Sequence, residues 1–209
     1  SVNMIIENQL TDNFLLTIGT GYSKTKFEED GLSPYALPWK EGNSWEQKSA
    51  SIGFHAKLSE INLVSGNVRY DDYSDFDSPL TYDLRLNSSI SDYITTFIKH
   101  STGYSPPTVL DLYGFGPWYP GNPNLEAEKS KNYEVGFSYN TKENNYWSLT
   151  YFYTDYENLI DSSYRNINKT IANGFELSSR NYLNDYFRIN SSMTMMRSKN
   201  KDEAFLERR

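Results

Sequence analysis

The chain has 209 residues, enough for one large all-β domain or for a piece of something bigger. It holds 18 tyrosines and is 16% aromatic, yet its mean hydropathy is −0.70, an odd pairing for a water-soluble core. The absence of cysteine excludes disulfides and thiolate chemistry, and a formal net charge of −7 argues against a nucleic-acid partner.

No apolar run approaches the roughly 20 residues that a spanning helix needs. Ser1-Val2-Asn3-Met4 has no basic start followed by an apolar stretch, so no signal peptide is visible and the chain is expected to begin inside a larger architecture. Composition leaves two readings about even. One is a barrel whose strands are apolar on one face only; the other is a Tyr-rich soluble β-sandwich, such as a sugar-binding one.

The dominant period along the chain is two. In 51–58, Ile52, Phe54, Ala56 and Leu58 alternate with Ser51, Gly53, His55 and Lys57. In 61–72 the apolar phase shifts from Ile61 and Leu63 to Val64, Val68 and Tyr70, which points to a bulge at Gly66. Leu80, Tyr82, Leu84 and Leu86 alternate with Thr81, Asp83 and Arg85. Both faces of 93–102 carry apolar residues, so the pattern does not orient it. The clearest segment follows: Tyr133, Val135, Phe137 and Tyr139 oppose Asn132, Glu134, Gly136 and Ser138. Trp147, Leu149, Tyr151 and Tyr153 repeat the pattern, as do Phe187, Ile189 and Met193.

The connections are sorted by length. Tight polar turns are expected near 8–13, 59–60, 87–92, 140–145 and 181–185. Longer excursions are expected near 23–44, 103–130 and 159–168, with 73–78 shorter but in the same alternation. Short turns at one end and long loops at the other describe an outer-membrane barrel, and about ten strands are each long enough to cross a bilayer at a tilt. The expected fold is all-β: an antiparallel transmembrane β-barrel, partial, with about ten strands of a larger barrel.

Residues 103–137 read Gly-Tyr-Ser-Pro-Pro-Thr-Val-Leu-Asp-Leu-Tyr-Gly, then Gly121-Asn122-Pro123-Asn124-Leu125-Glu126-Ala127-Glu128, then Tyr133-Glu134-Val135-Gly136-Phe137. This resembles the barrel of TonB-dependent receptors, closest to the cobalamin-receptor group. Asn158-Leu159-Ile160-Asp161, Tyr164-x-Asn166 and Gly174-Phe175-Glu176 fall at that family's spacing, and Leu206 with Arg208-Arg209 resembles the entry to a next strand. Ala127 stands where the family usually has Pro, and the loop carries an extra Phe-Gly-Pro-Trp-Tyr-Pro stretch. The resemblance implies 1–209 as part of a receptor barrel, with the plug domain and last barrel strands absent. It implies a bacterial outer-membrane protein that is not an enzyme and takes up a scarce nutrient with energy from TonB. Its partners would be outer-membrane lipid, an extracellular small molecule and TonB through a plug domain not present in this chain. A cobalamin-like ligand is favoured, with a ferric siderophore or haem as alternative; a passive porin or adhesin barrel is the alternative of another class. No cofactor is implied.

The favoured ligand contacts are Tyr104, Tyr113, Phe115, Trp118 and Tyr119, aromatics grouped in a Pro/Gly-rich loop, against an equal prospect of girdle and loop packing. Phe27, Tyr35 and Trp39 of 23–44 are weaker candidates. No catalytic residues are expected. Asp71, Asp72, Asp75 and Asp77 are weak Ca²⁺ candidates that lack the Gly turn and closing Glu of a recognised Ca²⁺ loop, so a solvated loop is favoured. His55 and His100 lack metal-ligand spacing. The resemblance implies that Glu134 and Glu176 hydrogen-bond in the lumen to arginine or to the plug; Arg69, Arg85, Arg180 and Arg188 are natural partners, with no specific pair assigned.

Overall fold

A computed structural model describes residues 1–26, 44–114, 121–141 and 145–200. Ten strands form one sheet in chain order, each antiparallel to the next. They are β1 (Val2–Thr11), β2 (Phe14–Lys26), β3 (Ser44–Lys57), β4 (Asn62–Tyr73), β5 (Leu80–Ser89), β6 (Ile94–Ser105), β7 (Glu128–Asn140), β8 (Tyr146–Ile160), β9 (Asn166–Tyr182) and β10 (Arg188–Asn200). The single helix among the described residues, α1 (Val109–Tyr113), lies between β6 and β7.

Register explains the period of two. Ile18 pairs with Ile52, Ile52 with Val68 and Val68 with Tyr82, so one face is apolar from strand to strand. Farther on, Ile98 pairs with Val135, Val135 with Tyr151, Tyr151 with Phe175 and Phe175 with Met195. No second layer of the described residues covers this face. Val135 is 49% exposed, Phe137 44%, Leu149 45% and Tyr151 37%. A soluble sandwich would bury such a face against a second sheet. Here the residues are left for lipid, the solvent in which exposed apolar side chains on a hydrogen-bonded sheet are favourable.

Tyr82, His100, Tyr133 and Tyr153 border the apolar face on its loop side. His100 stacks on Tyr133 at 4.4 Å between ring centres, and Tyr133 tilts against Tyr153 at 6.2 Å. The carbonyl of Asn132 accepts from His100 Nδ1 at 2.9 Å, so Nδ1 carries the hydrogen and Nε2 accepts from the Tyr82 hydroxyl at 3.0 Å. His100 thus belongs to an aromatic girdle at the membrane–water boundary, on the lipid side of the wall.

The opposite face carries Asn67, Arg69, Asp83, Arg85, Lys99, Glu134 and Glu176, small residues between them. The segment whose orientation the sequence leaves open is settled by its neighbours. Ile94 and Ile98 share the lipid face with Tyr139 and Val135, while Phe97 points to the polar face and lies under the Arg85 guanidinium, 3.8 Å from ring centre. An aromatic on the polar face beneath a cation explains why both sides of that strand look apolar.

Two expectations are corrected. There is no bulge at Gly66: its pairings to Phe54 and Leu84 continue the register on either side without a shift. The phase change arises because Ile61 belongs to the preceding turn and Leu63 opens the polar face near that turn. The register shift lies instead between Gln9 and Thr11. The excursion expected at 159–168 is also shorter. β8 runs through Ile160 and β9 starts at Asn166, because Asp161 accepts from the backbone of Ser163 and Arg165 and closes a tight turn. The short turns at the other end repeat one device. Leu58, Ile90 and Leu183 donate to the carbonyls of Asn62, Ile94 and Phe187, at 2.9 Å each.

Candidate functional site: the loop end of the sheet

The segment 105–127 folds back over the loop end. Thr108 and Asp111 cap α1 reciprocally, with the Asp111 carboxylate accepting from Thr108 N at 2.8 Å and Thr108 Oγ1 accepting from Asp111 N at 3.2 Å. Gly114 ends the helix at φ 70° and Gly121 re-enters at φ 61°. A Cβ on Gly121 would collide with the backbone of Leu112, Tyr113 and Gly114, so the returning chain crosses the helix end backbone to backbone. Asn122 N then donates to the Asp111 carbonyl at 2.7 Å.

From there the chain is tied to the β8–β9 turn. Asn122 Nδ2 donates to the Tyr164 carbonyl at 2.9 Å. Asn166 accepts from Glu126 N at 2.8 Å through Oδ1, while its Nδ2 donates to the Glu126 carbonyl at 2.9 Å and the Asn158 carbonyl at 2.7 Å. Asn158 Nδ2 donates to Glu126 Oε2 at 2.6 Å, and Ile160 N donates to Glu128 Oε1 at 2.8 Å. Asn158 and Tyr164 both hold positive φ, 58° and 57°. The strained turn and the segment it grips are therefore fixed together. The described chain buries most of its few core residues in the same region, Pro107, Leu112, Leu125, Ala127 and Leu159, with Ala172 farther along β9.

These latch residues are the motif that sequence reading singles out at 121–128 and 158–166. Their service as a loop anchor was not legible there, since the partners lie some 40 positions apart.

A second cluster closes the end of β4. Asp71 is buried and grips Arg69 with both carboxylate oxygens, Nε to Oδ2 and Nη2 to Oδ1 each at 2.8 Å; Gln47 Nε2 donates to the same carboxylate at 2.7 Å. Phe76 meets Trp45 edge-on at 5.0 Å and Tyr73 at 6.3 Å, and Tyr73 tilts against Tyr104 at 5.7 Å. Tyr104 donates its hydroxyl to the Asp77 carbonyl at 3.1 Å. Burial pushes its phenol up to about 12, with the nearby Asp77 carboxylate adding to the rise.

Of the expected ligand contacts, Tyr104 thus secures the 74–79 turn and Tyr113 sits half-buried at the end of α1. Phe115, Trp118 and Tyr119, like Phe27, Tyr35, Trp39, Leu206, Arg208 and Arg209, lie outside the described residues. The four aspartates diverge. Asp71 serves Arg69, Asp72 on the other face accepts from Ser78 at 3.2 Å, Asp75 accepts from Ser74, and Asp77 faces Lys129 at 3.6 Å. On the lumen face Glu134 pairs with Lys99 at 3.1 Å, and Arg180 lies 5.9 Å from the Tyr146 ring centre.

Between the 74–77 turn and the latch lies a cavity of about 400 Å³. Phe76, Tyr104, Leu125 and Ala127 give it aromatic and aliphatic wall, and Ser74, Asp75, Asp77, Glu126, Lys129 and Asn158 give it a polar wall with three carboxylates against one lysine. Such a mixture suits one part of an amphiphilic organic ligand.

The family model described as TonB dependent receptor-like, beta-barrel, matches residues 6–206. The chain belongs to this family. It is 35% identical over 96 residues to a vitamin B12 transporter BtuB of Photobacterium profundum, covering 46% of this chain and 15% of that protein. It is 34% identical over 102 residues to a probable hemoglobin and hemoglobin-haptoglobin-binding protein of Haemophilus influenzae, covering 45% of this chain and 9% of that one. Among solved structures, the siderophore receptor PirA from Pseudomonas aeruginosa superposes with a TM-score of 0.77 at 22% identity, over 94% of this chain and 39% of that chain. The chain thus spans less than a fifth of the length of these curated relatives and about two fifths of the solved receptor. Within the TonB-dependent receptor family the sorted faces have a plain meaning: this is wall of an outer-membrane barrel, apolar toward lipid and polar toward the lumen.

Proposed function

We propose that the loop end of this wall forms part of the docking surface for a scarce organic or metal-chelate nutrient, which the complete receptor imports with energy from TonB. The observation that carries the reading is the latch: Asn122, Glu126, Asn158 and Asn166 hold a long loop in one place beside an amphiphilic cavity. A fixed wall lowers the ordering cost of binding. Tyr104 and Tyr113, with Phe115, Trp118 and Tyr119, supply the aromatic part of that surface. The ligand passes through chemically unchanged, and TonB engages a plug domain of the complete receptor.

A cobalamin-like ligand is the first choice, supported by likeness to vitamin B12 transporters from Photobacterium profundum and, at 37% identity over 122 residues, from Vibrio vulnificus. Haem is the second reading, supported by the Haemophilus influenzae relative, with a ferric siderophore beside it. Titrating the complete receptor with cyanocobalamin, haem and a ferric siderophore, followed by tryptophan fluorescence, decides among them. Saturable binding of none of the three, together with equal conductance with and without TonB, would replace the importer by a passive barrel.

A further inference from the structure

The loops around the amphiphilic cavity are acidic. Residues 70–79 hold Asp71, Asp72, Asp75 and Asp77 and no base, and residues 103–128 hold Asp111, Glu126 and Glu128 and no base. The cations that flank these segments are already engaged: Arg69 grips Asp71, and Lys129 faces Asp77 at 3.6 Å. Asp75, Asp77 and Glu126 bring three carboxylates to the cavity of about 400 Å³, where Lys129 is the one cation among the described residues of the wall. All three acids are exposed, so a ligand arriving from outside meets them.

These carboxylates do not converge. Asp75 accepts from Ser74, Glu126 accepts from Asn158 Nδ2 at 2.6 Å, and Asp77 faces Lys129. No three acidic or imidazole side chains among the described residues are grouped to hold a metal ion. Their charge therefore acts as a field on whatever fills the cavity. Tyr104 reports the sign of that field, because its phenol stands in the same wall. It is pushed up to about 12, by burial first and by the Asp77 carboxylate second. An anionic arm of a ligand meets the same two obstacles there, loss of water and a like charge. An ammonium or primary amide meets the opposite, since its N–H groups donate to carboxylates in charge-assisted hydrogen bonds.

We infer that this cavity selects a neutral or cationic, N–H-bearing face of the nutrient and turns away carboxylate- or catecholate-bearing ones. The inference rests on the docking surface proposed above and narrows what it takes. The amide fringe of a cobalamin-like corrin suits the wall; the propionates of haem and a polyanionic ferric catecholate do not. Selection of this kind works through repulsion of the wrong ligand as much as attraction of the right one.

The test measures affinity of the complete receptor by calorimetry for probes paired by charge: cyanocobalamin and its monocarboxylic acid, haem and its bis-amide, cationic ferrioxamine B and an anionic ferric tricatecholate. In whichever pair binds, the neutral or cationic member is expected to bind roughly tenfold more tightly or better, the scale of a like-charge contact at an interface. D75N/D77N is expected to close most of that gap. E60Q/D92N makes the same change of net charge at exposed positions of the turn end, and is expected to leave the gap as it is. Folding of each variant is read from the migration of unheated samples on gels. Should D75N/D77N fail to fold, the wild-type gap and its narrowing with added salt carry the test. An anionic member that binds as tightly as its partner, a gap that D75N/D77N leaves untouched, or equal narrowing in E60Q/D92N would overturn the inference while the docking surface stands. Binding of no probe at all would defeat the docking surface itself, and this selection with it.

Discussion

Phe97 lies flat across Gly136, its register partner on the adjacent strand. A Cβ on Gly136 would collide with a carbon at the edge of the Phe97 ring. The same cross-strand pairing joins Phe152 to Gly174 on the lumen face and Phe54 to Gly66 on the lipid face. The ring covers backbone that the glycine leaves bare, and the Arg85 guanidinium lies over the Phe97 ring. Gly136→Val is expected to destabilise the complete barrel by about 1–3 kcal/mol through overpacking, and pairing it with Phe97→Ala should recover part of the loss. Urea unfolding in lipid vesicles measures both, and equal stability of Gly136→Val and wild type would show that the ring moves aside freely.

Asn166 makes three side-chain hydrogen bonds that no other residue type replaces in full. Asn166→Ala leaves Glu126 N and two carbonyls without those partners, a cost of about 1–3 kcal/mol expressed as local opening. Amide exchange at residues 121–128 should accelerate, while exchange in β2 and β3 stays unchanged. Protection that persists in the variant would mean the buried Leu112, Leu125 and Leu159 alone hold the loop.

Asp71 and Asp72 are neighbours in sequence with opposite roles. Asp71→Asn removes the buried charge that Arg69 Nε and Nη2 engage, and a loss of about 1–3 kcal/mol is expected. Asp72→Asn, on the exposed face, should change stability by less than about 0.5 kcal/mol. Thermal melts of the two variants in the complete barrel decide the matter, and equal shifts would refute the assignment.

Tyr104 titrates above the ordinary phenol range. Because its folded value, about 12, lies above its unfolded value of 10.0, the stability it contributes is fully present below pH 10. That contribution fades as pH rises from about 10 through about 12. Tyr104→Phe cannot ionise, so the difference in stability between wild type and variant should shrink across this window. A constant difference between pH 9 and pH 12 would show that the Tyr104 hydroxyl is open to solvent.

Alternation was legible in the sequence wherever a strand is clean. Tyr133, Val135, Phe137 and Tyr139 define the lipid face of β7 without help, since successive side chains on a strand point to opposite sides whatever the neighbours are. Strand 94–105 was not legible. Phe97 looks like a second apolar face until Arg85 and Gly136, on two other strands, give it a place on the polar side. Gly66 misled for a related reason: the apparent phase change marks where a turn ends, and only the pairing to Phe54 and Leu84 shows the ladder continuing.

What the sequence determined by itself is the barrel wall: period-two strands, short turns at one end, long loops at the other, and a motif that matches the receptor family. What the tertiary structure decided is how distant residues share a task. The latch between Glu126 and Asn166, the hydrogen bond from Gln47 to Asp71, and the gathering of Lys131, Lys169 and Lys199 on one face all depend on inter-strand register. Register is a property of pairs of segments, set by which hydrogen-bonded alignment places every greasy side chain on the same side of the sheet, and no single segment encodes it.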